Sequence, residues 1–266
     1  MAAKLKVDQI ESVDGSSNIT LNQSVTMASG KTLPAASLTG ALPAISGAAL
    51  TNVGGGLQSQ QVFTSSGTWT KPTGITKIKV TVTAGGAGGG GGSANYNHGG
   101  GGGAGGTSIK IIDVSSISSV TVTVGAGGAA GGNDANGSAG GNSSFGSHAT
   151  ATGGEAGSRA WLNFTSRYGL GGAAASGDIN LVGGDGGLSG GGSAHDETAP
   201  PANGGASFWG GGGQSGGGAN NTDPNMYTGN DARVYGTGGG GGDHDGATGR
   251  AGGAGKSGIV VVEEYS

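Results

Sequence analysis

Apolar and polar residues alternate with a period of two along KIKVTVT, residues 77–83, which puts Ile78, Val80 and Val82 on one face and Lys77, Lys79, Thr81 and Thr83 on the other. Such spacing is that of a strand with one buried face. The same alternation runs through TSIKIIDV (107–114) and SVTVTVGAGG (119–128). The chain closes on GIVVVEEYS, where four consecutive apolar residues from Ile259 to Val262 predict a strand buried on both faces. Together these segments predict a small antiparallel sheet or sandwich whose first and last strands lie near opposite ends of the sequence, so that everything glycine-rich is inserted into, or hung from, a β frame.

The first 57 residues follow a different rule. Leu5 and Val7 alternate with Lys4, Lys6 and Asp8, and Ile19 and Leu21 with Thr20 and Asn22, in short runs broken by Asp14-Gly15 and Ser29-Gly30. So few apolar residues cannot close a core within one chain, and the segment from Leu33 to Val53 is too poor in large apolar groups to be a domain. Three copies wrapped around one axis would bury the same sparse positions against each other, so the segment reads as an intertwined, trimeric β stalk. The run KLKVDQIESVDGSSNITLNQ followed by LTGALPAISGAALTNV resembles the repetitive shaft segments of bacteriophage tail fibre proteins.

The remainder, 58–266, also carries a resemblance. Its opening FTSSGTWTKPTGITKIKVTVTAGGAGGGGG and its close GKSGIVVVEEYS are similar to the glycine-rich domain at the distal end of many phage tail fibres, and the glycine tracts between them are similar to those of the T-even-type phage adhesins. That resemblance implies a bundle of polyglycine II helices. Such a helix turns in three residues, like polyproline II, but every residue keeps its N–H, so donors and acceptors must be met by neighbouring chains or water. An interior tract is then expected to be pure glycine, and a surface tract to admit a larger residue at every third position. Candidate tracts are 85–92, 99–106, 125–132, 137–141, 183–192, 204–218 in two parts, 236–242 and 249–258. The fold expected is therefore mainly β and irregular with almost no α-helix: a stalk over 1–57, then a head with a β frame over 61–83, 107–124 and 258–265, and polyglycine tracts with presented loops over 84–106 and 125–257.

Composition sharpens this picture. Glycine supplies 68 of 266 residues, but with six prolines and no regular third-position phase the chain is not collagen. The net charge of −4 and the scattered basic residues exclude a stripe that could track a phosphate backbone, so nucleic acid is not an expected partner. No apolar run approaches the roughly 20 residues of a membrane span. With no cysteine there are no disulfides or thiolate metal sites.

The bulky chemistry sits in islands between tracts: Asn95 to His98, Asn133 to Asn136, Arg159 to Tyr168, His195 to Asn203, Asn220 to Tyr227, and Asp243 to Asp245. Loops at the ends of a rigid array are where binding residues concentrate, and tyrosine and tryptophan offer large contact area at low entropic cost. Tyr96, His98, Trp161, Arg167, Tyr168 and Tyr227 are the candidate receptor-binding residues. Tyr96, Tyr168 and Tyr227 are expected at the surface, while Phe145, Phe164, Phe208 and Trp209 are expected to cap the bundle.

Several motifs fail on inspection. GRAGGAGKSG (249–258) nearly spells a phosphate-binding loop, but Arg250 stands where a glycine is required and the segment leads into a strand rather than a helix. His98, His148, His195 and His244 lie far apart in sequence, and Asp243-His244-Asp245 lacks defined partners, so no metal, cofactor or catalytic site is expected. The resemblance implies a tail fibre protein of the virion, made in the host cytoplasm, whose head binds an outer-membrane protein or surface glycan. Residues 1–57 would trimerise it and meet other tail or fibre proteins. The alternative is a purely structural virion component.

Overall fold

The computed structural model describes residues 56–93, 98–159, 168–189, 202–217, 227–244 and 248–266. Residues 1–55 of the expected stalk, and with them the expected trimer contacts, lie outside the described residues. Gly54–Ser266 form one compact unit. Among the described residues ten strands appear in order: β1 (Leu57–Phe63), β2 (Gly67–Thr70), β3 (Lys77–Thr83), β4 (Thr107–Asp113), β5 (Ser119–Thr123), β6 (Ser143–Phe145), β7 (Ala149–Ala151), β8 (Ala174–Ala175), β9 (Ile179–Leu181) and β10 (Ile259–Tyr265). They make two five-stranded antiparallel sheets, ordered β1-β10-β3-β4-β9 and β2-β5-β6-β7-β8. Among the described residues the molecule is mainly β with essentially no helix, as the alternation predicts.

The two sheets enclose the apolar core. Ile78, Val80 and Val82 of β3 meet Val260 and Val262 of β10, Val120 and Val122 of β5, and Trp69, Ile112, Phe145 and Ala149 in one buried cluster. Trp69 and Phe145 pack with ring centroids 5.7 Å apart. Phe145 thus belongs to the sandwich core rather than to a cap on the rods. All four apolar residues from Ile259 to Val262 are buried, because β10 lies between β1 and β3.

Two polar groups depart from the expected pattern. Glu264 is fully buried, and its carboxylate accepts hydrogen bonds from Trp69 Nε1 at 2.7 Å, from Gln61 Nε2 at 2.8 Å and from the Ser59 hydroxyl. Donors from both sheets therefore meet on one residue, which is what makes burial of a carboxylate tolerable. Thr81 and Thr83, on the polar face of β3, are also buried. Thr83 shares a hydrogen bond with Thr107 at 2.9 Å and accepts another from Trp209 Nε1 at 2.9 Å. Alternation thus misjudges this end of the strand, since a distant loop covers it.

Several strands continue past the sheets as extended rods. β3 runs into 84–92, and 99–106 returns into β4; β5 runs into 125–132, and 137–141 returns into β6. Segments 152–158 and 169–173 follow β7 and precede β8, 183–187 follows β9, and 250–258 feeds β10. Four further rods, 202–206, 211–217, 229–232 and 236–243, lie among them.

Hydrogen bonding between rods repeats every third residue. The N–H groups of Ala84, Ala87 and Gly90 donate to Gly106, Gly103 and Gly100; those of Gly85, Gly88 and Gly91 donate to Gly141, Ser138 and Ala135; those of Gly86, Gly89 and Gly92 donate to Lys256, Gly253 and Arg250. The carbonyls of the same rod accept in rotation from 128–134, 154–157 and 239–242. Rods 99–106 and 236–243 are surrounded in the same manner. Every backbone donor of these interior rods is met by protein, at about 0.5–1.5 kcal/mol net for each bond, so an ordered array offsets the entropy that glycine loses on folding.

Side chains follow the same period at the edge of the array. Gly125, Gly128 and Gly131 are buried while Ala126, Ala129 and Gly132 are exposed; Gly154 and Gly157 are buried while Thr152 and Glu155 are exposed. The expectation of pure glycine inside needs one correction, since Ala84, Ala87 and Ala104 are fully buried in interior rods. Rods 152–158, 169–173 and 229–232 were not anticipated from sequence. An edge rod needs glycine only on the faces turned inward, so TGGEAGS does not stand out by composition.

Candidate functional site

The direction of each rod is fixed by the strand to which it is joined. Ala84, Gly106, Gly125, Gly141, Thr152, Ala173, Gly183 and Gly258 lie at the frame end, so Gly92, Gly99, Gly132, Gly137, Ser158, Gly169, Gly187 and Arg250 lie at the other. Hydrogen bonds tie this second end together: Gly92 N to Arg250 O, Asp134 N to Gly92 O, Gly99 N to Gly242 O and Gly100 N to Ser158 O. Six connections therefore leave and rejoin the array at one pole, flanked by Ser93 and His98, Gly132 and Gly137, Arg159 and Tyr168, Ser189 and Ala202, Gly217 and Tyr227, and His244 and Thr248. The antiparallel pairing of 84–92 with 99–106 places Gly92 and His98 at this pole.

The opposite pole belongs to the frame. Leu57 pairs with Tyr265, at the end of β10 remote from the rods. Both Leu57 and the carboxyl-terminal strand end there, away from the six connections.

Of the candidate residues, Tyr96, Trp161 and Arg167 lie outside the described residues. His98 opens an interior rod at the loop-bearing pole, and Tyr168 is half-buried at the same pole. Tyr227 also lies there, but it is buried, with 8% of its surface exposed, and its carbonyl accepts from Asp243 N at 2.8 Å. The expectation of an exposed Tyr227 is thus corrected: its neighbours in sequence are polar, but the adjoining rods enclose it. Phe208 and Trp209 are at the frame end, stacked edge to face with centroids 5.1 Å apart and substantially exposed. They join a rod to the β frame and are not part of the loop-bearing pole; Phe164 is outside the described residues.

The structure brings together three groups that sequence spacing keeps apart. His98 begins rod 99–106, Asp243 ends rod 236–243, and these rods are antiparallel neighbours through Gly99 N to Gly242 O, Gly102 N to Gly239 O and Gly105 N to Gly236 O. His98 Nδ1 lies 2.6 Å from Asp243 Oδ1, and His244 Nε2 lies 3.7 Å from the same oxygen. The two imidazole rings are 5.1 Å apart. His244 N donates to Asp243 Oδ1 at 2.7 Å, and the Ser189 hydroxyl donates to His98 O at 2.7 Å, so both ends of the cluster are fixed by further bonds. The expectation of isolated histidines fails here because it judges distance along the chain, whereas rod pairing decides distance in space.

Nearby, Arg159 N donates to Asn136 Oδ1 at 2.7 Å, and Arg159 Nη1 lies 3.5 Å from Asp134 Oδ2. Two of the six connections are thereby linked. Segment 250–258, the near match to a phosphate-binding loop, is an extended rod antiparallel to 84–92 rather than the approach to a helix.

No curated protein matches the chain significantly. A family model described as a glycine-rich domain matches residues 60–265, from the first strand through the last, covering both the β frame and the rods. The chain belongs to this glycine-rich domain family.

Proposed function

We propose that the chain is a bacteriophage tail fibre protein whose glycine-rich head binds a host surface receptor, an outer-membrane protein or surface glycan, during adsorption. The observation that carries this reading is the gathering of six connections at the pole opposite Leu57 and the β frame. Rods whose hydrogen-bond partners rotate with a period of three fit polyglycine II helices, and such an array would hold the connections in fixed positions at little entropic cost on binding. His98 and Tyr168 lie at that pole, and Tyr96, Trp161 and Arg167 belong to connections that start from it. Residues 1–57 would join three chains and attach them to other tail or fibre proteins, and three heads per fibre would turn weak contacts into avid attachment. The mechanism is binding without catalysis or membrane insertion.

The test is competition. Purified full-length protein, incubated with candidate host cells, is expected to slow adsorption of the corresponding phage in a saturable manner. Absence of competition at saturating protein on cells that the phage does infect would remove the adhesin reading and favour a structural virion component.

A further inference from the structure

We propose that His98, Asp243 and His244 form a binding site for a divalent first-row transition metal, with zinc as the best fit to the donors. The donor atoms of the three side chains all lie within 4.8 Å of one another. Zinc bonds to imidazole nitrogen and carboxylate oxygen are about 2.0–2.2 Å long, which puts neighbouring ligands of a tetrahedral site about 3.3 Å apart. The 2.6 Å and 3.7 Å separations from Asp243 Oδ1 bracket that value. A metal would take the place of the direct contact between His98 Nδ1 and Asp243 Oδ1, since ligation requires both donor atoms to be free of protons.

The donor set selects the class of ion. Two imidazoles and one carboxylate suit zinc, nickel, copper or iron, whereas calcium and magnesium prefer oxygen ligands throughout. The side chains of His98, Asp243 and His244 keep only 22, 12 and 11% of their surface exposed, which limits competing solvation while leaving access. The backbone is already positioned: His98 and Asp243 stand at the ends of two interior rods cross-linked along their length, and His244 N is bonded to the Asp243 carboxylate. Three protein ligands leave at least one coordination position for water or for a group from outside the chain.

Bound metal would fasten the ends of rods 99–106 and 236–243 at the loop-bearing pole, beside the connections that begin before His98 and after His244. Its effect would be to restrict that pole. The proposal stands on the cluster itself and does not depend on the receptor reading.

The experiment uses the full-length protein, freed of metal with a chelator and titrated by calorimetry with zinc chloride alone, then with cobalt chloride followed by visible absorption. One zinc per chain is expected, with an increase in melting temperature and cobalt bands showing nitrogen and oxygen coordination. Asp243→Asn and His98→Ala are expected to weaken zinc binding by more than the about 10–100-fold typical of changes behind a metal ligand. His148→Ala is expected to bind as the parent does, and calcium chloride is expected to give no heat at the same concentration. If a variant unfolds, the imidazole resonances of His98 and His244 in the parent supply the readout, since both must shift on zinc addition while those of His148 do not. No stoichiometric binding, binding unchanged in folded Asp243→Asn, or shifts confined to other histidines would overturn the proposal.

Discussion

At Gly90 a Cβ would lie 2.0 Å from Ser158 O, and at Gly101 it would lie 2.0 Å from Asn203 O; both contacts are with backbone that neighbouring rods hold in place. The hydrogen that occupies this position instead points at the carbonyl, in the manner of a Cα–H···O contact. At Gly132 the same construction meets nothing within 4 Å. Gly90→Ala is therefore expected to cost about 3 kcal/mol through displacement of a packed rod, whereas Gly132→Ala should leave stability unchanged or raise it by about 0.4–1 kcal/mol by stiffening the unfolded chain. Urea denaturation of the two variants checks the contrast. Equal effects at both positions would mean that close approach is not what selects glycine.

Between residues and the whole lies the strand, where the sheets depend on a few polar groups. Glu264 on β10 gathers donors from β1 and β2, so Glu264→Ala leaves Trp69 Nε1, Gln61 and Ser59 without their common acceptor. A loss of about 3 kcal/mol or more is expected, since bonds to a charged acceptor are worth about 1.5–3 kcal/mol each, and chemical denaturation followed by near-ultraviolet circular dichroism measures it. At the end of β4, hydrogen bonds from the Ser115 hydroxyl and backbone N–H hold the Asp113 carboxyl below its ordinary value of 3.8. The folded pKa is depressed, so the contribution is present above the unfolded value and is lost as pH falls through the folded one. Carbon-detected NMR titration should show an Asp113 midpoint below 3.8, with Ser115→Ala moving it upward. An unchanged midpoint in Ser115→Ala would remove the Ser115 hydroxyl as the cause.

Across the whole molecule, a strand period of two passes into a rod period of three without a break in the chain. Residue 83 ends β3 and residue 84 begins an interior rod, with Thr83 and Ala84 both fully buried across the join. The sheets supply an apolar core that glycine cannot, and the rods supply length and a pole bearing connections. If residues 1–57 trimerise the chain as their sparse apolar pattern predicts, sedimentation velocity of the full-length protein at micromolar concentration should give a mass three times that of the 24.8 kDa chain. A monomer would refute it.

By itself the sequence determined the β frame and the existence of glycine rods, because both rest on local patterns. Alternation marks Ile78, Val80 and Val82, a continuous apolar run marks β10, and dense glycine marks 85–92, 99–106 and 236–242. The short strands β6 to β9 and the rods 152–158, 169–173 and 229–232 were not legible, since a two- or three-residue strand has no period and an edge rod turns only one residue in three inward. Only the tertiary structure decided that Tyr227 is buried, that Thr83 lies under Trp209, and that His98 meets Asp243 and His244. Each of these depends on which rods are neighbours, and that choice is made by hydrogen bonds between backbones that are chemically alike, so it leaves little trace in the identity of the residues.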